Sequence, residues 1–222
     1  MTYKLHFADL LPYWDLLLKG LVFTILLTIV STVAGTALGT LGASARTFGP
    51  RWLDRLTGAY VEVIRNTPFI VQLFFIFFGL PAAGIKLNET TAAVLAMTVN
   101  LGAYSTEIIR AGIQAVPKGH IEAGASLAMS RLQVLRHVVL KQAFEKIYPA
   151  LSSQIVIVML GSAVVSQISA EDLTYAANFI QSRNFRAFEV YLVVAGLYLL
   201  LAIVTRAALR GIGRLVFRGP GR

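Results

Sequence analysis

Apolar positions along this chain gather into five long runs set apart by short polar segments. The runs cover residues 21–45, 66–85, 90–106, 147–170 and 190–205. A hydrocarbon core about 30 Å thick takes about 20 residues of helix to cross, so each run is a candidate membrane span. The first and fourth are wholly uncharged, whereas the third and fifth reach the length only if Glu107, Arg110, Glu189 and Arg206 sit near the water interface. Gly35, Gly39 and Gly42 give the first run the spacing of closely packed membrane helices, and it is expected to stay in the mature chain rather than to be cleaved as a signal.

The polar segments predict the rest of the architecture. Residues 1–20 mix Phe7, Leu10, Tyr13 and Trp14 with Asp9, Asp15 and Lys19, the pattern of an amphipathic interfacial helix, or otherwise of a frayed polar start to the first span. Between the third and fourth runs lies the longest polar, helix-prone segment, Pro117 to Pro149. Pro117, Lys118 and Gly119 mark a break, and residues 121–129 read as one small helix. Ser130 is placed to cap a second helical segment whose apolar face is Leu132, Leu135, Val138 and Val139. A small helix that protrudes from the membrane is a docking element more readily than a catalytic one. The fold class expected is an all-α membrane protein of five spans, with an N-terminal amphipathic helix, a membrane domain over 21–205 with its loop at about 111–146, and a basic tail over 206–222.

Composition agrees: 56% of the residues are hydrophobic and 14% charged, against about 25% charged in soluble domains, and the mean hydropathy is +0.70. The net charge of +9 points to topology rather than to nucleic acid. With the N-terminus outside, five Lys and Arg fall in outward segments and fifteen in inward ones, which satisfies the positive-inside rule and puts the 111–146 loop and the C-terminus in the cytoplasm. Arg206, Arg210, Arg214 and Arg218 form a basic helical stripe suited to anionic lipid head groups, or an ordinary stop-transfer anchor.

Candidate chemistry is sparse. There is no cysteine and no phosphate-binding loop, and His6, His120 and His137 lack metal-ligand spacing. The chain is therefore expected to carry no catalytic centre, metal or bound cofactor, so that uphill transport takes its energy from an ion gradient or a partner. Within the spans, Asn100 and Tyr104 share a helical face with Glu107 following, and Gln154, Ser162 and Ser166 share another. These residues either line a path for a polar solute or form helix-to-helix hydrogen bonds. So few helices leave a polar solute facing lipid unless a second chain closes the path.

Three stretches, "YVEVIRNTPFIVQLFFIFFGLP" (60–81), "NLGAYSTEIIRAGIQAVPKGHIEA" (100–123) and "SRNFRAFEVYL" (182–192), resemble the membrane permease subunit of polar amino-acid ABC importers, a type I importer fold. In that family the segment after the third span reads E-A-A-x-x-x-G, nine residues, then I-x-L-P; here Glu122, Ala123 and Gly124 stand at E-A-A, Ala128 at the Gly, and Val138, Leu140 and Lys141 at I, L and P. The resemblance implies that Gly119, Glu122, Ala123, Gly124, Ala125, Ser126 and Ala128 form a coupling helix that docks on a cytoplasmic ATPase dimer, which binds ATP and Mg. It also implies a second permease chain, identical or related, a periplasmic or tethered amino-acid-binding protein, and a place in the bacterial inner membrane.

The sequence departs from the family at several positions. Ala128 for Gly favours continued helix and Lys141 for Pro removes a break, so the docking helix is expected to end late. Where relatives read Asn-Glu and Lys-Asp-Thr in the fourth span, this chain has Ser153 and Gln154, then Leu160, Gly161 and Ser162. Without the carboxylate at 154, a cationic amino acid loses its partner in low dielectric. Asn100, Tyr104, Gln154 and Ser162 are the residues expected to line the substrate pathway. The rival readings are an ion-coupled secondary transporter or channel, which calls for deep intramembrane carboxylates or a broken helix, and a structural subunit, which leaves the protruding helix unexplained.

Overall fold

The computed structural model describes residues 5–217, with the side chain of Arg131 excepted; Lys4, Arg218 and Arg222 of the predicted polar ends lie outside the described residues. The described chain is helical. The 3-10 helix Phe7–Tyr13 leads without a gap into α1, Trp14–Phe48, so the boundary expected at residue 20 falls inside a continuous helix. It is followed by α2 (Arg51–Arg65), α3 (Phe69–Ala82), α4 (Glu89–Gln114), α5 (Lys118–Ser126), α6 (Leu140–Gly161), α7 (Leu173–Asn184) and α8 (Ala187–Phe217). Four of the described helices are long and apolar enough to cross a membrane, and five crossings are reached when α2 and α3, bent by 111° at their break, count as one.

That bend is a feature the hydrophobic pattern did not reveal. Alone, α3 is about 21 Å long, short of the ~30 Å core. The amphipathic α2, with Trp52, Leu56 and Val63 exposed, supplies the elbow beneath it. The signal was present in the alternation of these apolar residues with Arg51, Asp54, Arg55, Glu62 and Arg65. Helix α7 was also missed, although Asp172 announces it: its carboxylate accepts the Tyr175 amide at 2.8 Å as an N-cap and takes a second hydrogen bond from the Tyr198 hydroxyl at 3.0 Å. Burial pushes this carboxyl up to about 6, against the lowering effect of those bonds. Glu189, expected near water, is instead fully buried under the N-terminal segment, where its carboxylate accepts the His6 amide at 3.1 Å.

The bundle is organised by the contact of α1 with α4. A β-carbon on Gly35 would lie 2.9 Å from Leu101 Cβ, one on Gly39 would collide with Ser105, and one on Gly42 would lie 2.5 Å from Thr106 Oγ1. Absent side chains therefore set the approach of the two backbones, as the glycine spacing predicted. Gly20 repeats the device against α7, with 2.8 Å to the Asp172 carbonyl oxygen, and Thr24 Oγ1 accepts the Leu173 amide at 3.2 Å.

The segment between α4 and α6 departs from expectation in an instructive way. Helix α5 starts earlier than predicted, at Lys118 directly after Pro117, and ends at Ser126, not late. Ala128 does not continue the helix: it takes the left-handed conformation, φ +57°. The Met129 amide then donates to the Gly124 carbonyl at 3.2 Å and the Ala128 amide to Ala125 at 3.0 Å, the hydrogen-bond pair of a Schellman motif. The two carbonyls so satisfied outweigh alanine's preference for helix. Ser130 caps the next helix as predicted, through a reciprocal pair with Gln133, amide to Oγ at 3.3 Å and amide to Oε1 at 2.8 Å. Beyond it, the π-helical stretch Val134–Val139 turns the apolar face, burying Val134 and Val139 and leaving Leu132 exposed.

Two expectations follow from this packing. Gly39→Leu drives side-chain atoms into α4, so the monodisperse fraction in size-exclusion chromatography falls several-fold, whereas Gly196→Leu, at a position with nothing within 4 Å, leaves it unchanged. Ala128→Gly removes about 1 kcal/mol of left-handed strain, so limited proteolysis between α5 and Ser130 slows about fivefold, and Ala128→Val accelerates it.

Candidate functional site

A cavity of about 400 Å3 opens between the start of α3, the middle of α4 and the second half of α6. Asn100 and Tyr104 reach it from α4, Gln154 and Gly161 from α6, and Thr67, Pro68 and Phe69 from the elbow, with Met97, Ile157 and Val158 as apolar wall. Its size is ordinary for a small-molecule site, ~300–1,000 Å3, and its polar lining is uncharged. Three of the four residues expected along the pathway thus meet in one place. Ser162 does not line it: fully buried, its hydroxyl donates to the Met159 carbonyl at 2.7 Å.

The missed residue here is Gln72. Its amide nitrogen donates to the carbonyls of Ile64 at 2.7 Å and Thr67 at 2.9 Å, which the break between α2 and α3 frees, and to Thr67 Oγ1 at 3.0 Å. Its Oε1 accepts the Asn100 amide at 2.9 Å. Asn100 therefore lines the cavity and at the same time bonds one helix to another. The signal for Gln72 was a lone amide in the apolar run "FIVQLFF". Gly161 contributes space, since a β-carbon there would meet nothing within 4 Å.

Below the cavity, on the side toward α5, Tyr104 also lines a second, polar cavity of about 360 Å3 with Arg46, Arg65, Glu107 and Arg110. Glu107 pairs with Arg46, with Arg110 at 3.2 Å and with Arg65 at 4.0 Å, and Arg46 bonds Asp54 at 3.3 Å. The Arg65 guanidinium stands 5.4 Å from the centre of the Tyr104 ring. This network ties α1, α2 and α4 together at one level.

Helix α5 joins the two helices that line the first cavity. Glu122, Ala123, Ala125, Ser126 and Gly119 are on its solvent-facing surface or half-exposed, while Gly124 is buried with its Cα toward Val134. Ala128 follows in the turn. Lys146 of α6 donates to the Ala115 carbonyl at the end of α4 at 2.6 Å, holding the two roots of the loop together.

Comparison with known proteins places this geometry. Residues 33–218 match the family model described as binding-protein-dependent transport system inner membrane component. The chain is 35% identical over 205 residues to the glutamine transport system permease protein GlnP of Escherichia coli (strain K12), covering 91% of this chain and 94% of the relative. It is 37% identical over 209 residues to the L-cystine transport system permease protein TcyB of Bacillus subtilis (strain 168), covering 92% and 89%. A crystal structure of an amino acid ABC transporter with histidines superposes with a TM-score of 0.85 at 36% identity over 96% of this chain and 99% of that one. The MetNI methionine ABC transporter, at 23% identity and a TM-score of 0.80, shares the fold. Family model, relatives and superposition agree, and the chain belongs to the family of binding-protein-dependent transport system inner membrane components.

Proposed function

We propose that this chain is the permease subunit of an ATP-driven importer for a polar, uncharged amino acid or a close relative of one. The observation that carries the reading is the connection of the parts: α5 links α4 to α6, the helices that wall the uncharged cavity. A force on α5 acts on both walls at once. In the mechanism, a binding protein delivers the cargo, two permease chains enclose it, and a cytoplasmic ATPase dimer closes on ATP and Mg and pulls on α5 through Glu122 and its small neighbours. ATP binding favours one state by differential affinity, and the walls alternate between open to the outside and open to the cytoplasm. The N-terminus is outside and the C-terminus in the cytoplasm. The permease itself hydrolyses nothing.

An uncharged cargo follows from the lining. Gln154 and Gly161 stand where the motif of the family that the sequence resembles has carboxylates, and Asn100, Tyr104 and Gln154 offer amide and hydroxyl groups that match an amide or hydroxyl side chain. The broken helix formed by α2 and α3 is the strongest point of the ion-coupled rival, but the Ile64 and Thr67 carbonyls at the break are bonded by the Gln72 side chain.

Copurification from the native membrane is the test. Wild type is expected to bring down an ATPase, and Glu122→Arg to lose it while the second permease chain remains; absence of any ATPase from the wild-type preparation overturns the importer reading. For cargo, Gln154→Glu combined with Gly161→Asp places carboxylates in the cavity. A charge pair at 4 Å is worth about 4 kcal/mol at an effective dielectric of about 20, before desolvation. The ratio of lysine to glutamine retained by the detergent-solubilised complex is expected to rise at least about tenfold, and an unchanged ratio places the cargo elsewhere.

A further inference from the structure

A separate cavity of about 680 Å3 lies between α6 and α8, at the end of the bundle that carries α5. Its floor is aromatic and closely fitted. The Tyr148 hydroxyl donates to the Leu209 carbonyl at 2.7 Å, and its ring meets Phe217 edge-on at 5.2 Å between centroids. Gly213 admits that ring, since a β-carbon there would lie 2.5 Å from Tyr148 Cε1. The wall is basic. Arg206, Arg210 and Arg214 all line the cavity, and among the described residues no acidic side chain lies within ion-pair distance of any of them. Arg210 Nε donates at 3.3 Å to the Arg206 carbonyl, which leaves the remaining guanidinium donors of the three free of carboxylates. Glu145 is the one acidic residue in the lining.

The position of this basic wall identifies its ligand. Arg206 follows directly on the apolar run 190–205, so the arginines stand at the level of the lipid head groups. On α8 the same stripe continues upward through Ile203 and Leu199, which are 54% and 64% exposed. A ligand that spans both regions is acidic at one end and apolar along the other. Guanidinium groups offer the forked donors that suit a phosphate, and basic pockets between membrane helices at the cytoplasmic face are suited to anionic lipid head groups.

We propose that this cavity binds the headgroup phosphate of an anionic phospholipid of the leaflet next to α5. Arg206, Arg210 and Arg214 hold the phosphate, and the Leu199 and Ile203 stripe meets an acyl chain. Glu145 weakens the site and sets its affinity. The occupant is lipid and not a soluble phosphate, because the aromatic floor and the apolar stripe have no use for a free ion.

The test uses the full-length chain, delipidated in detergent, with dioleoylphosphatidylglycerol as the probe and native mass spectrometry counting retained lipid. One phosphatidylglycerol is expected per chain, with dioleoylphosphatidylcholine not retained and excess inorganic phosphate unable to displace the lipid. Arg210→Gln with Arg214→Gln is expected to weaken retention about 30-fold, and Arg51→Gln with Arg55→Gln, the same loss of charge on α2, to leave it unchanged. Equal losses in both double variants overturn the site in favour of general charge attraction. Displacement by inorganic phosphate overturns the lipid assignment, and a chain that dimerises and retains no lipid shows the cavity covered by a second copy. Should the arginine variants fail to elute as folded protein, Glu145→Gln still decides: retention rises if the site is as described, and an unchanged or lower value overturns it.

Discussion

The close approach of α1 and α4 is the constraint on which the rest of this molecule depends. Gly35, Gly39 and Gly42 remove the side chains that would hold the two backbones apart, and Leu101, Ser105 and Thr106 fill the space. In a membrane the hydrophobic effect does not press helices together, so packing at this range supplies the attraction. The contact also fixes the rotation of α4 about its axis. With Leu101 and Ser105 turned to α1, Asn100 and Tyr104, each one residue earlier and about 100° round the helix, are turned to α6 and the elbow.

Around that contact, polar groups carry the geometry that apolar packing leaves undetermined. The 111° bend between α2 and α3 frees backbone carbonyls within the bundle, and Gln72 satisfies two of them while binding Asn100 on the neighbouring helix. Glu107 gathers Arg46, Arg65 and Arg110 at the level of the elbow. Half-exposed pairs of this kind are individually worth about 0–1 kcal/mol, so their effect is one of register, holding α1, α2 and α4 at a common depth. The cavity inherits its shape from both devices.

The segment between α4 and α6 shows a local rule overridden by hydrogen bonding. Alanine at 128 reads as helix, yet the chain turns there through a left-handed residue, because the turn closes two carbonyls at the end of α5 and Ser130 with Gln133 closes the start of the next helix. A short helix closed at its C-terminal end projects from the bundle as a result. Its roots on α4 and α6 are drawn together by Lys146 on the Ala115 carbonyl.

What the sequence determined by itself was the part governed by transfer to a membrane and by local capping. The length of the apolar runs, the excess of Arg and Lys in alternate loops, the glycine spacing, the cap at Ser130 and the family motif were all legible, as was the place of Asn100, Tyr104 and Gln154 along the spans. Only the tertiary structure decided which of these polar residues share a space and which, like Ser162, turn back on their own helix. It also decided the elbow, α7, the part played by Gln72 and the turn at Ala128. The physical reason is that each of these depends on where carbonyls are left without partners and how near two backbones come, and both are set by contacts between segments far apart in the chain.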